Sequence, residues 1–326
     1  MLSSLYASIL GFLLDFVIGG LQGKFHPVRM TGSLLAVLER QFRGRFPDTD
    51  QGRLMGGLFL TWFVSLAAFL ISYFLLMLIF RLSPLAAFFL ESFLFCFTFS
   101  LKAVKVGTVK IVDLLKKSSL EESRKALSGI TATDTGSFSR EELIKATVEV
   151  IAKNTTDGIV APMFFMIIGG APFALFYKAV NIMHSMAACK NETSMAFGRY
   201  AAKLDNILKY YPARIAANML IFAAHILKGT DGKNAGRIYA RDRLKHSCGS
   251  SAHTAAAYAG ALRIGLAGDS SFGKRKEKEL IGDNLAEISA EMIFTANKLM
   301  YMTAGITILL LGAIKFGIIY LFFLQQ

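Results

Sequence analysis

The chain has 326 residues, 54% of them hydrophobic and 18% charged, with a mean hydropathy of +0.48. That is too apolar for a water-soluble domain of ordinary surface-to-volume ratio, so lipid must cover part of the surface; 28 Phe and a single Trp fit rings packed against acyl chains. Lys and Arg outnumber Asp and Glu by 36 to 23, a net charge of +13, yet no basic and aromatic nucleic-acid module accompanies the excess; it reads as membrane topology and attraction to anionic headgroups or substrates, with no nucleic-acid partner.

Leu5 to Gly19 is apolar apart from Asp15 and reads as a first membrane helix. It is short for a hydrocarbon core of about 30 Å. No basic leader or small-residue cleavage site precedes it, so the helix is expected to be retained. After the polar segment 20–53, Leu54 to Phe80 carries no charged residue and is the clearest transmembrane helix. Arg81-Leu82-Ser83-Pro84 predicts a tight turn, and 85–101 returns across the bilayer with one acid, Glu91.

The polar segment 102–155 predicts two amphipathic helices. One covers Val112 to Leu127. The other opens on a capping box of Ser139 and Glu142 and buries a stripe that includes Leu143, Ala146 and Val150. The apolar stretch 158–183 is interrupted by Gly169-Gly170-Ala171-Pro172, which leaves two halves of about eleven residues, each too short to span alone. A re-entrant helix pair is expected there, a kinked spanning helix being the alternative, and 213–227 is expected to be a second broken or re-entrant segment.

The polar segments 186–212 and 228–298 flank that second segment, with Gly268 to Lys278 a mobile loop. The span 301–323, apolar except for Lys315, closes the chain. All four polar segments are rich in Lys and Arg and are expected on the cytoplasmic side of the cell's inner membrane. The expected architecture is all-α: one polytopic membrane domain over 1–326, with about four spanning helices, re-entrant or broken helices and cytoplasmic amphipathic helices. Cys96, Cys189 and Cys248 show no metal-ligand spacing, and Cys96 reads as a small buried hydrophobe.

Gly-rich phosphate loops, dinucleotide-binding glycine motifs, metalloprotease helices and nucleophile elbows are absent. Unusual polar residues instead gather where polar loops adjoin broken apolar segments, in three clusters. In Gly23-Lys24-Phe25-His26-Pro27-Val28-Arg29, His26 is either a phosphate or carboxylate contact or a turn residue bonded to backbone.

The second cluster runs from Thr133-Asp134-Thr135 through Glu149 and Asn154 to Asp157-Gly158 and Pro162. Its carboxylates could hold Mg²⁺ through one or two oxygens, or form a solvated helix face and cap. The third comprises Tyr177, Asn181, His184, Ser185 and Lys190, then Arg199, Lys203, Asp205, Asn206 and Arg214. Asp205 and Lys209 share a helical face at i, i+4, and an ion pair alone would explain Asp205. Arg214 enters an apolar segment just after Pro212 and calls for an anionic partner.

Taken in order, these clusters resemble the integral membrane adenosylcobinamide-phosphate synthases, the CbiB or CobD family. The resemblance rests on Asp15, His26-Pro27-Val28-Arg29, Gly32 and Glu39, then on Ser100-Leu101, Ser123-Arg124 and Asp134-Thr135. Its most specific part is Ala146-Thr147-Val148-Glu149, Asn154-Thr155-Thr156-Asp157-Gly158, Ala161-Pro162, Gly169-Gly170-Ala171-Pro172, Tyr177-Lys178-Ala179-Val180-Asn181, Ser185-Met186 and Pro212-Ala213-Arg214. Ala259-Gly260-Ala261-Leu262-Arg263 with Leu266-Ala267-Gly268 resembles the closing motif.

Several positions depart from the family pattern. Gly20-Leu21 stands for Asp-Pro, Thr133 for an Arg, Lys153 and His184 for acids, Asn206 for the second of two adjacent acids, and Cys248-Gly249-Ser250-Ser251 for a Pro-Asn-Ala-Gly turn.

The resemblance implies a carbon-nitrogen ligase of cobalamin biosynthesis. It would join adenosylcobyric acid to (R)-1-amino-2-propanol phosphate, or a related amino-alcohol phosphate, with ATP and Mg²⁺. The product would be adenosylcobinamide phosphate. It further implies Asp134, Glu149 and Asp157 around Mg²⁺ as the catalytic group. His26, Arg29, Lys190 and Arg214 would face phosphate or carboxylate groups, and Asn154, Asn181, Ser185 and Asp205 would line the substrate cleft. Partners would be membrane lipid, the adenosylcorrinoid and other corrinoid-pathway enzymes. The lost acids keep a second reading open, a non-catalytic membrane paralogue of AmpE-like signalling or corrinoid-binding type.

Overall fold

A computed structural model describes residues 2–19, 37–42, 44–131, 135–188, 192–245, 250–267 and 279–323. Their regular structure is helical apart from one antiparallel pairing of β1 (Leu266–Ala267) with β2 (Leu280–Ile281), so the all-α polytopic architecture holds. Four helical stretches among the described residues are long and apolar enough to cross a membrane: Asp50–Leu82, Pro84–Lys116, Arg140–Met186 and Glu291–Leu321. The chain forms two compact units: 1–100, 161–208 and 308–326 make the first, and 101–160 with 209–307 the second.

The first unit holds α1 (Leu2–Ile18), α2 (Asp50–Leu82), α3 (Pro84–Cys96), α7 (Ala161–Ala188) and α8 (Glu192–Leu208). In α2 the usual pattern of a soluble helix is inverted. It buries Gly52, Gly56, Gly57, Thr61, Ser65 and Ser72, and exposes Phe59, Trp62, Phe63, Ile71, Phe74, Leu78 and Phe80. Small residues let helices approach closely where apolar burial supplies no drive, and large ones face lipid. At Gly57 any Cβ would strike the Phe197 carbonyl, so α8 crosses α2 at that point. Leu60, Ile182, Met183, Phe197 and Ala201 pack into a core around this crossing.

The turn expected at 81–84 contracts to Ser83 in an extended conformation. Its hydroxyl accepts the Ala86 N–H at 3.3 Å, and Pro84 opens α3, where a missing N–H costs nothing. Helix α3 ends at Cys96 rather than continuing to Leu101, and α1, expected over 5–19, runs Leu2–Ile18. The break foreseen within 158–183 is present: in α7, Gly169 and Gly170 leave helical geometry, and Gly170 has φ +72°. Glu91 covers the break, its Oε1 accepting the Ala171 N–H at 3.4 Å and the Ser4 hydroxyl at 2.9 Å.

The second unit holds α4 (Leu101–Lys116), α5 (Leu120–Ser128), α6 (Arg140–Asn154), a π-helical segment (Thr155–Val160), α9 (Tyr210–Ile226), α10 (Gly232–Asp242) and α11 (Ser251–Leu262), with the β pair. Helix α12 (Glu291–Phe323) contributes its first half here. The single amphipathic helix expected over 112–127 is two helices, parted where Ser118 takes a left-handed φ of 57°. The segment 213–227, expected to be broken or re-entrant, lies almost wholly within α9, a continuous helix without a break. Pro212 falls in its first turn, where a missing N–H breaks no bond. The capping box of Ser139 and Glu142 opens α6 as foreseen. Gly260 lets α11 lie against α10, since a Cβ there would come within 2.6 Å of the Ala235 Cα.

Candidate functional site

The site residues of the second unit centre on the junction after α6. Asn154 ends that helix with its side chain bonded to the Val150 carbonyl at 2.9 Å. The next six residues, Thr-Thr-Asp-Gly-Ile-Val, wind as a π-helix and are all buried. Pro162 follows two residues later; lacking an N–H and crowding the preceding turn, it favours a widened winding there. The extra residue per turn re-aims consecutive side chains onto different neighbours. Thr155 shares a hydrogen bond of 3.0 Å with the Tyr258 hydroxyl, and Thr156 one of 3.2 Å with Thr254.

Asp157 accepts from Lys209 Nζ at 3.0 Å, with both side chains nearly removed from solvent. Burial raises the Tyr258 phenol well above its ordinary range, so it stays a neutral donor. Glu149 sits half-buried on α6. Asp134 lies outside the described residues; the adjacent Thr135 is buried, its hydroxyl bonded to the Arg124 carbonyl at 2.8 Å. Arg124 in turn donates Nε and Nη2 to the Phe138 carbonyl at 2.8 and 2.7 Å, which ties two separate sequence motifs into one corner.

The expected magnesium group was Asp134, Glu149 and Asp157. Among the described residues, no three or more His, Cys, Asp or Glu side chains are gathered closely enough to hold a metal ion. The Lys209 ammonium occupies the Asp157 carboxylate, a donor set unsuited to a cation. The described residues therefore do not fit Mg²⁺ at Asp157.

Arg214, in the first turns of α9, donates Nη1 to the Tyr210 carbonyl at 2.6 Å and stacks on the Tyr210 ring at 3.6 Å. Its charge, with that of Arg243, acts on Tyr239 and His253 in the same unit, and none of these three residues was singled out from the sequence. His253 Nδ1 lies 3.2 Å from the Tyr239 hydroxyl, and the Arg243 guanidinium sits over the Tyr239 ring at 5.4 Å. Burial, then the charges of Arg214 and Arg243, push His253 down to about 4. The imidazole is neutral at physiological pH.

The first unit brings together a different set. Asp205 of α8 is fully buried, and its Oδ2 meets His184 Nδ1 at 2.6 Å while its Oδ1 accepts from Asn181 Nδ2 at 3.4 Å. Asn181, His184 and Ser185 sit near the end of α7, Ser185 half-buried. Lys178, one turn earlier, donates to Ser100 at 3.3 Å. Tyr177, Phe165 and Ala161 pack beneath them, the Tyr177 and Phe165 rings stacked at 5.1 Å. His26, Arg29 and Lys190, and the loop expected over Gly268 to Lys278, lie outside the described residues.

Sequence reasoning did not anticipate the partners. The i, i+4 relation to Asp205 suggested an ion pair for Lys209, whereas the structure gives it Asp157, 52 residues away, and gives Asp205 the imidazole of His184. The one sequence signal was that an acid, a histidine and a lysine in apolar surroundings each require a partner.

Fold and sequence together define a polytopic α-helical membrane protein with buried polar clusters on and beside its interrupted helices. Residues 8–300 match the family model described as CobD/Cbib protein, and the chain belongs to that family. It is 37% identical over 297 residues to the cobalamin biosynthesis protein CobD of Clostridium perfringens, covering 91% of this chain and 93% of that protein. It is 35% identical over 317 residues to the cobalamin biosynthesis protein CbiB of Salmonella typhimurium, covering 97% and 98%. The CobD protein of Citrobacter koseri is 36% identical over 307 residues, covering 94% and 96%. No solved structure matches the chain.

Proposed function

We propose that this chain acts in cobalamin biosynthesis as a carbon-nitrogen ligase. It joins a propionate carboxylate of adenosylcobyric acid to the amine of (R)-1-amino-2-propanol phosphate, or a related amino-alcohol phosphate, giving adenosylcobinamide phosphate at the expense of ATP. It works as a multi-pass protein of the inner membrane with its polar segments in the cytoplasm. The observation that carries this reading is family membership across residues 8–300 together with the central signature from Glu149 to Arg214, in which Asp157, Asn181 and Asp205 are buried and hydrogen-bonded.

A carboxylate does not react with an amine until a phosphoryl group makes one of its oxygens a leaving group, so nucleotide, carboxylate and amine must be held together away from water. Arg214 would receive a phosphate or carboxylate group, with His26, Arg29 and Lys190 in the same service from their own segments. Asn181, Ser185 and Asp205 would line the substrate cleft. Asp205 would act through His184, whose imidazole it holds by Nδ1, leaving Nε2 to exchange a proton with the amine. Lys209 would fix Asp157 as a charged but screened group, and Asn154 would hold the end of α6.

The purified chain, given adenosylcobyric acid, aminopropanol phosphate and MgATP, should release ADP and the amide in equal amounts. Corrinoid binding without ADP release would overturn the ligase reading. It would favour a corrinoid-binding paralogue, a reading prompted by Lys153, His184 and Asn206 at positions where the resembled pattern has acids.

A further inference from the structure

The Arg214 and Arg243 guanidiniums of the second unit have, among the described residues, neither an acidic partner nor a carbonyl from another element to hold them. Among the described residues Arg214 bonds only to the Tyr210 carbonyl and ring, and Arg243 meets only the Tyr239 ring. Neighbouring basic residues differ. Arg237 and Arg241 both reach Asp283, at 2.6 and 2.9 Å, and Arg241 and Lys245 both reach Asp242, at 2.7 and 2.8 Å. The Asp242 carboxylate is further occupied by the Gly282 N–H at 2.8 Å, so it has no capacity left for Arg243. That network fixes the end of α10, from which Arg243 projects as the capping residue.

His253 completes the group. It is 3% exposed, in the first turn of α11, and its Nδ1 is 3.2 Å from the Tyr239 hydroxyl. A neutral imidazole whose Nδ1 accepts the tyrosine proton carries its own hydrogen on Nε2, so it presents a donor. The start of α11 adds the positive end of a helix dipole beside these donors. Two unneutralised guanidiniums, an imidazole N–H and a helix N-terminus have one chemistry in common. Each stabilises an anion with several acceptor oxygens, and the planar guanidinium fork suits phosphate.

We propose that Arg214, Tyr239, Arg243 and His253 form a subsite for a phosphoryl group. Arg214 and Arg243 supply the charge, His253 donates from Nε2, and Tyr239 fixes both the imidazole tautomer and the Arg243 side chain. The phosphoryl group belongs to a soluble phosphate monoester or to an anionic lipid headgroup, and the proposal rests on the ligase reading only for which monoester that is. It adds three residues to Arg214, the single residue of the four that the family resemblance singled out.

The test is calorimetric titration of the full-length protein in a neutral detergent with inorganic phosphate and with 1-amino-2-propanol phosphate. A parallel arm measures binding to vesicles of phosphatidylglycerol against phosphatidylcholine. Loss of one charge-assisted contact should weaken phosphate binding about tenfold or more in Arg243→Gln. His253→Gln, which retains a donor, should weaken it less, and neither substitution should move the melting temperature of the unliganded protein by more than a few degrees. A tenfold loss confined to the phosphatidylglycerol arm assigns the subsite to a lipid headgroup, and a loss in the soluble arm assigns it to a monoester. Absence of phosphate and phosphatidylglycerol binding by the unmodified protein, or equal affinities in Arg243→Gln, overturns the subsite. Weakened binding in a protein that forms no amide leaves the subsite standing and removes the ligase reading.

Discussion

Lys209 Nζ lies 3.0 Å from Asp157 Oδ1, and the two side chains are 2% and 9% exposed. An ammonium and a carboxylate removed from water are tolerable only as a pair, because taking away one partner leaves an uncompensated buried charge.

Asp157→Ala should therefore lower stability by about 3–5 kcal/mol, and a double replacement, Asp157→Asn with Lys209→Met, should recover most of that loss. Thermal unfolding in detergent reads both. Additive losses in the double variant would show that the pair contributes nothing as a pair. Because either single replacement of Asp157 leaves the Lys209 ammonium uncompensated, the double variant Asp157→Asn with Lys209→Met is the one for measuring amide formation.

His184 stands where the resembled family pattern has an acid, yet it makes a 2.6 Å contact with the fully buried Asp205. His184→Asp would set two carboxylates against each other, and one of them would have to take up a proton to remain buried. The variant should melt at a lower temperature at pH 8 than at pH 5, whereas the unmodified pair should not show that ordering. A melting temperature of His184→Asp independent of pH would remove the contact as the cause.

His253 is held down to about 4 against an ordinary value of 6.5, by burial first and then by Arg214 and Arg243. The unfolded chain thus takes up a proton below about pH 6.5 that the folded chain refuses until about pH 4. Stability is at its full value above that window and falls as the pH is lowered through it, by about 3 kcal/mol in all. Denaturant midpoints at pH 7.5, 5.5 and 4.5 should fall in that order, and His253→Gln should flatten the part due to this residue. An unaltered slope in His253→Gln would exclude it.

Gly170 has φ +72°, a conformation that a side chain resists, and a Cβ there would lie 2.7 Å from Glu91 Oε1. Gly170→Ala should cost about 1–3 kcal/mol through backbone strain alone and also displace the Glu91 carboxylate from the Ala171 N–H. Glu91→Gln, which keeps an acceptor oxygen, should be milder than Glu91→Ala. Equal melting temperatures for Glu91→Ala and the unmodified protein would show that Glu91 does not hold the break.

Much of this molecule was legible in single stretches of sequence, because the signals are local. A run without charge from Leu54 to Phe80 has to lie in a helix beside lipid, since backbone groups in hydrocarbon must pair within their own segment. Ser139 and Glu142 close a capping box through atoms three residues apart. Gly169-Gly170 followed by Pro172 cannot continue an α-helix whatever surrounds it. The division of 112–127 at Ser118 was missed, because a left-handed serine carries no pattern in hydropathy.

The tertiary structure alone decided which polar groups meet. Asp157 and Glu149 belong to one signature in sequence, but the π winding of 155–160 sends the Asp157 carboxylate to Lys209 and the Thr155 hydroxyl to Tyr258, 103 residues away. Arg243, Tyr239 and His253 gather because the packing of α10 against α11 at Gly260 sets their register. Periodicity and residue type state that a buried charge needs a partner. The choice among partners depends on chain closure and close packing, which no local pattern encodes.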